Sequence, residues 1–105
     1  MAQFIAYGNP NRRTKQTYPY LLDIQSNLLD ELRTTIVIPL CPSKIAGNAA
    51  ISKLCPIINI DGDSYIALTQ QIAGIDRRDL GKEAFDLSSY RLDIISALDF
   101  VISGI

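Results

Sequence analysis

Apolar and polar positions alternate with a period of two through much of this chain and change to a helical period only near its end. Residues 18–26 read YPYLLDIQS, which puts Tyr20, Leu22 and Ile24 on one side and Asp23 and Gln25 on the other, as in a half-buried strand. Residues 34–40, TTIVIPL, are β-branched and almost continuously apolar, and predict a strand buried on both faces until Pro39, which has no N–H to give a ladder, interrupts it. An earlier run, QFIAY over 3–7, predicts a first strand. The turn formers Gly8, Asn9 and Pro10 then open an exposed basic loop over 8–17. Between the two firmer strands, NLLDELR fits a single helical turn or a wide bend that leaves Leu28 and Leu29 partly exposed. Residues 42–54, rich in small residues and turn formers, predict an irregular crossing segment.

The runs PIINI and SYIALTQQ flank Asp61-Gly62-Asp63, the strongest short-range hairpin signal in the chain. The two aspartates invite a calcium reading, but the spacing lacks the later glycine and terminal glutamate of an EF-hand loop, so a hairpin tip is expected and no metal. DRRDLGKE predicts a solvated loop. The last segment, SSYRLDIISALDFVISGI, repeats Ile94, Leu98, Val101 and Ile105 at helical spacing, with Leu92, Ile95 and Ile102 flanking and Ser89, Asp93, Ser96 and Ser103 opposite. It predicts an amphipathic helix capped by Ser88 or Ser89 and ended by Gly104. No basic residue follows Arg91, although the C-terminal end of a helix carries partial negative charge; Asp99 adds to that charge, at a cost of about 0.3–1 kcal/mol that a partner's cation would relieve. Fraying at an exposed end is the plainer account of the same feature. The elements together predict a mainly β fold with a C-terminal α-helix: antiparallel strands forming a barrel or sheet with the helix packed on it.

Composition narrows the functional classes. The chain has 105 residues, 48% of them apolar, which suits one domain over 1–105 with one ordinary core. No run approaches the roughly 18 apolar residues of a membrane span, and the start lacks an export pattern, so a cytoplasmic protein without a membrane partner is expected. Two cysteines are too few for a secreted disulfide scaffold and are expected as free thiols. A formal charge of −1 supplies no positive field for nucleic acid or an anionic membrane. The chain has no histidine, the commonest general acid–base group, so catalysis would fall to carboxylates, Lys, Tyr or Arg. These features point to a domain that grips another protein, with the last helix as the grip, and to no cofactor.

Several separated blocks, LLDIQSNLLD, IVIPL, LCPIIN followed by LTQQIAGI, and the closing helix with its Gly-Ile end, resemble the CcdB toxin family in order and spacing over essentially the full length. The resemblance implies an SH3-like barrel with a C-terminal helix and a homodimer. It also implies a bacterial plasmid-maintenance toxin of a type II toxin–antitoxin module. Such a toxin binds the DNA gyrase A subunit and traps the cleaved complex, meeting DNA only through gyrase or as the antitoxin–toxin complex. A CcdA-like antitoxin would neutralise it. Carried onto this sequence, gyrase contact falls on Asp99, Ile102, Ser103, Gly104 and Ile105, with Leu28 and Leu29 as a second apolar pair. The family pattern has tryptophan at the position of Ser103 and asparagine at that of Asp99, and an aromatic anchor commonly contributes about 2 kcal/mol or more. Antitoxin contact is expected along the 8–17 loop, through Arg12, Arg13 and Lys15, and along the 42–50 segment, through Ser43 and Lys44; a solvated loop accounts equally for the basic run.

Two alternatives follow from the same fold. An endoribonuclease toxin would draw an acid–base pair from Arg77 or Arg78 with Asp76 or Asp79. An inactive relative would keep antitoxin binding and lose gyrase, for which Ser103 is the motive.

Overall fold

Residues 3–47 and 53–104 are described by the computed structural model of the protein. Its strands are β1 (Ile5–Gly8), β2 (Tyr20–Asp23), β3 (Thr34–Pro42), β4 (Ile57–Ile60), β5 (Asp63–Ala67), β6 (Ala73–Asp76) and β7 (Glu83–Asp86), with a single helical turn α1 (Ser43–Ala46) and the helix α2 (Arg91–Ser103). The strands form one antiparallel sheet in the order β4-β5-β3-β2-β1-β7, with β6 also paired to β3. The sheet curls into a half-barrel and α2 packs against it, so the expected mainly antiparallel β fold with a C-terminal helix is the observed one.

β3 organises the sheet, and it corrects the expectation at Pro39. The strand does not stop there; it runs to Pro42. Along one edge it pairs with β2 over Val37–Leu40, while along the other it pairs with β6 over Thr34–Val37 and with β5 over Leu40–Pro42. The Pro39 carbonyl accepts from Leu68 N–H at 3.0 Å on that second edge, so its missing donor also faces the place where β3 exchanges one partner for another. A proline there removes no ladder bond.

Tyr20, Leu22 and Ile24 share the expected core-facing side, with Leu22 fully buried and the other two packed against the same cluster, although the strand covers only Tyr20–Asp23. Asp23, expected on the polar face, is buried instead, its Oδ1 accepting from Thr35 Oγ1 at 2.8 Å and from Gln25 N–H at 3.1 Å. Period-two patterning marks a residue's face but not whether a neighbouring hydroxyl waits there to satisfy it. The first strand starts at Ile5 rather than residue 3, because Phe4 turns through φ 67° to give its N–H to Asp23 and receive Leu87 N–H on its carbonyl. The expected hairpin is present with a two-residue tip, Ile60 opposite Asp63, and both Asp61 (φ 51°) and Gly62 (φ 84°) are left-handed, as a type I′ turn demands. β6 and β7, four residues each, were not expected as strands.

The core gathers Leu22, Ile38, Leu40 and Ile58 from the sheet with Ile94 from α2. Tyr20 meets both Tyr65 and Phe85 edge-on, at ring-centroid distances of 5.5 and 5.4 Å. Burial is the main cause that pushes the Tyr65 phenol above its ordinary pKa. A second cluster holds Cys41, Cys55, Ile66 and Leu68. Both cysteines are free and buried, as expected; burial raises the Cys41 thiol, and Cys55 Sγ lies 3.2 Å from Gln70 Oε1. Iodoacetamide at pH 8 is therefore expected to leave the native protein unmodified over minutes and to label two thiols in denaturant, counted by intact mass. Rapid native labelling of Cys41 would contradict its burial.

α2 corrects the cap. Residues Ser88–Tyr90 form a 3-10 turn, the helix begins at Arg91, and no side chain caps its first N–H groups. Asp86 instead accepts from Ser88 N–H at 2.9 Å and so shapes the approach to the helix. A serine ahead of an apolar run fits either arrangement, so the sequence signal did not separate them.

Candidate functional site

α2 has the expected period but a narrower buried face than its apolar residues suggested. Only Ile94 and Ala97 are fully buried, with Ile95 and Leu98 partly so. Leu92 (78%) and Ile102 (85%) stand in solvent. The outer side also carries Asp93, Ser96, Asp99 and Ser103, all exposed. An apolar side chain left in solvent contributes little to the stability of the fold.

The end of that helix is built firmly. Gly104 takes φ 73°, a left-handed cap that a residue with a Cβ adopts at a cost, and its N–H donates to Phe100 O at 2.8 Å. Ser103 Oγ donates to Asp99 O at 2.7 Å. The Phe100 carbonyl is thereby satisfied at the helix end, and Ile102 is held on an ordered last turn. The Ser103 hydroxyl is spent on its own helix. No basic residue occupies the last turn, so Asp99 and the helix dipole leave the tip electronegative. Ile105 lies outside the described residues.

The second apolar element is the turn between β2 and β3. Ser26 Oγ accepts from Leu28 N–H at 3.2 Å and caps a 3-10 turn over Asn27–Leu29, which leaves Leu28 94% and Leu29 47% exposed. This is the single helical turn that the sequence allowed. Neither Leu28 nor Ile102 belongs to the core clusters, so both are displayed rather than used in packing.

The residues expected to meet an antitoxin divide between two places. Arg12, Arg13 and Lys15 are exposed on a loop that Asn9 shapes, its Nδ2 donating to Thr14 Oγ1 at 3.0 Å and to Tyr18 O at 2.8 Å. Ser43 and Lys44 lie on α1, where they line a separate groove with Asp63 and Tyr65, and Ser43 Oγ sits 2.7 Å from Ser64 Oγ. The remainder of the 42–50 segment, residues 48–50, lies outside the described residues.

Within IDRRDLG, Arg78 and Asp76 are bound to each other. Arg78 grips Asp76 with Nε at 3.2 Å and Nη2 at 3.1 Å, and its N–H also bonds Oδ1 at 2.9 Å. The Arg78 guanidinium first, and that N–H second, hold the Asp76 carboxyl below the usual carboxylate range, further from the near-neutral pKa that proton transfer favours. Arg77 is turned to backbone carbonyls. Among the described residues no group of three or more His, Cys, Asp or Glu side chains is placed to hold a metal ion.

Asp76 and Asp86, the latter lowered chiefly by the Ser88 N–H, share a pH consequence. A carboxyl lowered in the folded state binds fewer protons than in the unfolded chain. Its stabilisation is complete above about pH 4 and is lost as pH falls through its folded value. The urea midpoint is expected to hold from pH 7 to 5 and to fall below pH 4, with Asp86→Asn flattening part of that decline; an Asp86→Asn profile parallel to the unsubstituted one would exclude its contribution.

The fold is a half-barrel carrying one terminal helix, with exposed apolar side chains at the helix end and, separately, on the turn between β2 and β3. The CcdB protein family model matches residues 3–104, and the chain belongs to that family, whose members are toxins of toxin–antitoxin modules. Among the described residues no helix is long and apolar enough to cross a membrane.

Proposed function

We propose that this chain, one domain over 1–105, is the cytoplasmic toxin of a type II toxin–antitoxin module. As a homodimer it binds the DNA gyrase A subunit, traps the cleaved gyrase–DNA complex and catalyses nothing itself. The observation that carries the reading is Ile102, 85% exposed on a helix end closed by Gly104, in a chain of the CcdB family. Gyrase contact is assigned to Asp99, Ile102, Ser103, Gly104 and Ile105, together with Leu28 and Leu29. The exposed apolar groups supply desolvation energy, about 25 cal/mol per Å² of surface removed from water, and the electronegative tip selects a basic receiving surface. A CcdA-like antitoxin, through Arg12, Arg13, Lys15, Ser43 and Lys44 and part of the helix face, competes for the toxin.

The test is a gyrase cleavage-complex assay with the full chain and with a chain lacking Gly104 and Ile105. The full chain is expected to accumulate protein-linked breaks and the shortened one to keep its fold and dimer without doing so. Equal trapping by both would remove the helix end from the contact surface.

One observation favours a second reading, an antitoxin-binding relative without gyrase activity. Ser103 replaces an aromatic anchor, and its hydroxyl is occupied by Asp99 O. Expression in cells with unmodified or poison-resistant gyrase separates the two readings, since a gyrase poison kills only the former.

A further inference from the structure

One side chain ties the later part of the turn that displays Leu28 to the end of the neighbouring strand β6. Arg77 follows the end of β6, and its main-chain N–H donates to Arg33 O at 2.9 Å. From that fixed point its Nε donates to Leu32 O at 2.6 Å and its Nη2 to Leu29 O at 3.3 Å. The two carbonyls stand at either end of a short stretch that is also tied by Leu32 N–H to Leu29 O at 3.1 Å. Only a planar fork with donors on separate nitrogens spans two such acceptors; an ammonium on a flexible stem does not fix both directions at once. Its third nitrogen, Nη1, is shielded from solvent and has no hydrogen-bond partner. Leaving a buried donor unmet carries a cost, and the other two bonds hold the guanidinium there nonetheless.

Residues 26–33 have few other ties: Ser26 Oγ accepts from Leu28 N–H at 3.2 Å and Asn27 Oδ1 accepts from Gln3 N–H at 2.8 Å, both at the start of the turn. Asn27 through Arg33 are exposed, and the turn contributes no buried residue to the core. Gln25 Nε2 reaches Thr34 O at 3.1 Å at the base of the loop and only 3.5 Å from Leu29 O. A loop without buried anchors samples many conformations, and ordering it at the moment of binding subtracts from affinity.

We infer that Arg77 is a positioning residue for the toxin's partner surface: by clamping the Leu29 and Leu32 carbonyls it pre-orders the turn that presents Leu28 and Leu29. The inference rests on the gyrase-binding reading for its functional consequence. Its structural half stands on the hydrogen bonds alone. Arg77 itself need not touch the partner, which separates its role from that of Leu28.

Arg77→Met keeps the aliphatic stem and removes the fork; Arg77→Lys keeps the charge without the fork. Both are measured beside Leu28→Ala and the double variant Arg77→Met/Leu28→Ala, by amide hydrogen exchange and by affinity for the gyrase A subunit. Exchange at Leu32 and at neighbouring loop amides is expected to rise at least tenfold in both Arg77 variants, with Ile38 and Ile58 unchanged. Affinity is expected to fall about tenfold in each. In the Leu28→Ala background, Arg77→Met is expected to weaken binding by much less, because the clamp acts through the side chain already removed. Full affinity in Arg77→Lys, or losses in Arg77→Met and Leu28→Ala that multiply independently, would overturn the inference. If the unsubstituted chain does not bind gyrase A, the gyrase reading fails. The exchange data then still decide the clamp: unchanged loop exchange in Arg77→Met overturns it, and a confined rise upholds it.

Discussion

Ile102→Asp is expected to abolish trapping of cleaved DNA by gyrase while leaving the urea midpoint nearly unchanged. The side chain is 85% exposed, so the folded chain relinquishes almost no packing when it is replaced. A carboxylate near the end of α2, beside Asp99 and without a basic residue in the last turn, adds an unfavourable charge of about 0.3–1 kcal/mol, the whole of the expected stability change. In a docked complex the same substitution removes an apolar anchor and asks a desolvated pocket to take a charge. Loss of such an anchor commonly exceeds about 2 kcal/mol, or roughly thirtyfold in affinity, before the cost of burying the carboxylate is added. Ile102→Leu, similar in volume and equally apolar, is expected to retain trapping. The measured quantity is the protein concentration giving half-maximal linear DNA in the cleavage assay. Undiminished potency of Ile102→Asp would mean that the apolar tip is not what gyrase receives, whatever else the helix end does.

The aspartate acts at a position whose importance follows from a local balance of charges and caps. Gly104 closes the helix through Phe100 O, and the Ser103 hydroxyl adds a bond to Asp99 O within the same last turn, which carries Ile102 outside the core clusters. Order at an exposed tip matters because a frayed turn would have to be refolded on binding. Ser103 thus supports the presentation of its neighbour while giving up the direct contact that an aromatic side chain in its place would make.

The sequence carried the parts of this arrangement that depend on local chemistry. The Asp61-Gly62 hairpin, the alternation of Tyr20, Leu22 and Ile24, the helical period of the last segment and the Gly104 stop all have short-range physical causes, and each is present in the fold. What it concealed depends on partners distant in sequence. Pro39 is tolerated because β3 changes neighbours opposite it, which no feature of residues 34–40 announces. Asp23 is buried because Thr35 Oγ1 lies 2.8 Å away on the next strand. β6, with the sequence AGID, has no alternation of its own and exists through its pairing to β3. Arg77 looked like one charge of a solvated loop; its role emerges only when β6 brings it beside Leu29 and Leu32. Of the candidate site, the helix end and the Leu28–Leu29 pair came from the family resemblance together with periodicity. The supporting clamp came from neither.

Leu92, expected to flank the apolar stripe of α2, stands on the opposite side from Ile94, because residues two apart lie about 200° apart around a helix. Ile94 is fully buried, whereas Leu92 is 78% exposed. The core beneath the helix receives Ile94 among Leu22, Ile38, Leu40 and Ile58, with Ala97 the other fully buried residue of α2. Ile94→Ala leaves a cavity under a helix held by few side chains, and truncations of this kind cost about 2–5 kcal/mol. Against a total stability of about 5–15 kcal/mol for an ordinary domain, that is a large fraction of the whole. Leu92→Ala should change stability by no more than about 0.5 kcal/mol. Urea unfolding followed by far-ultraviolet circular dichroism is therefore expected to separate the two variants widely, with Ile94→Ala also losing gyrase trapping because the tip rides on a helix no longer held in place. Similar midpoints for both would mean that α2 does not pack through Ile94, and the orientation that exposes Ile102 would fall with it.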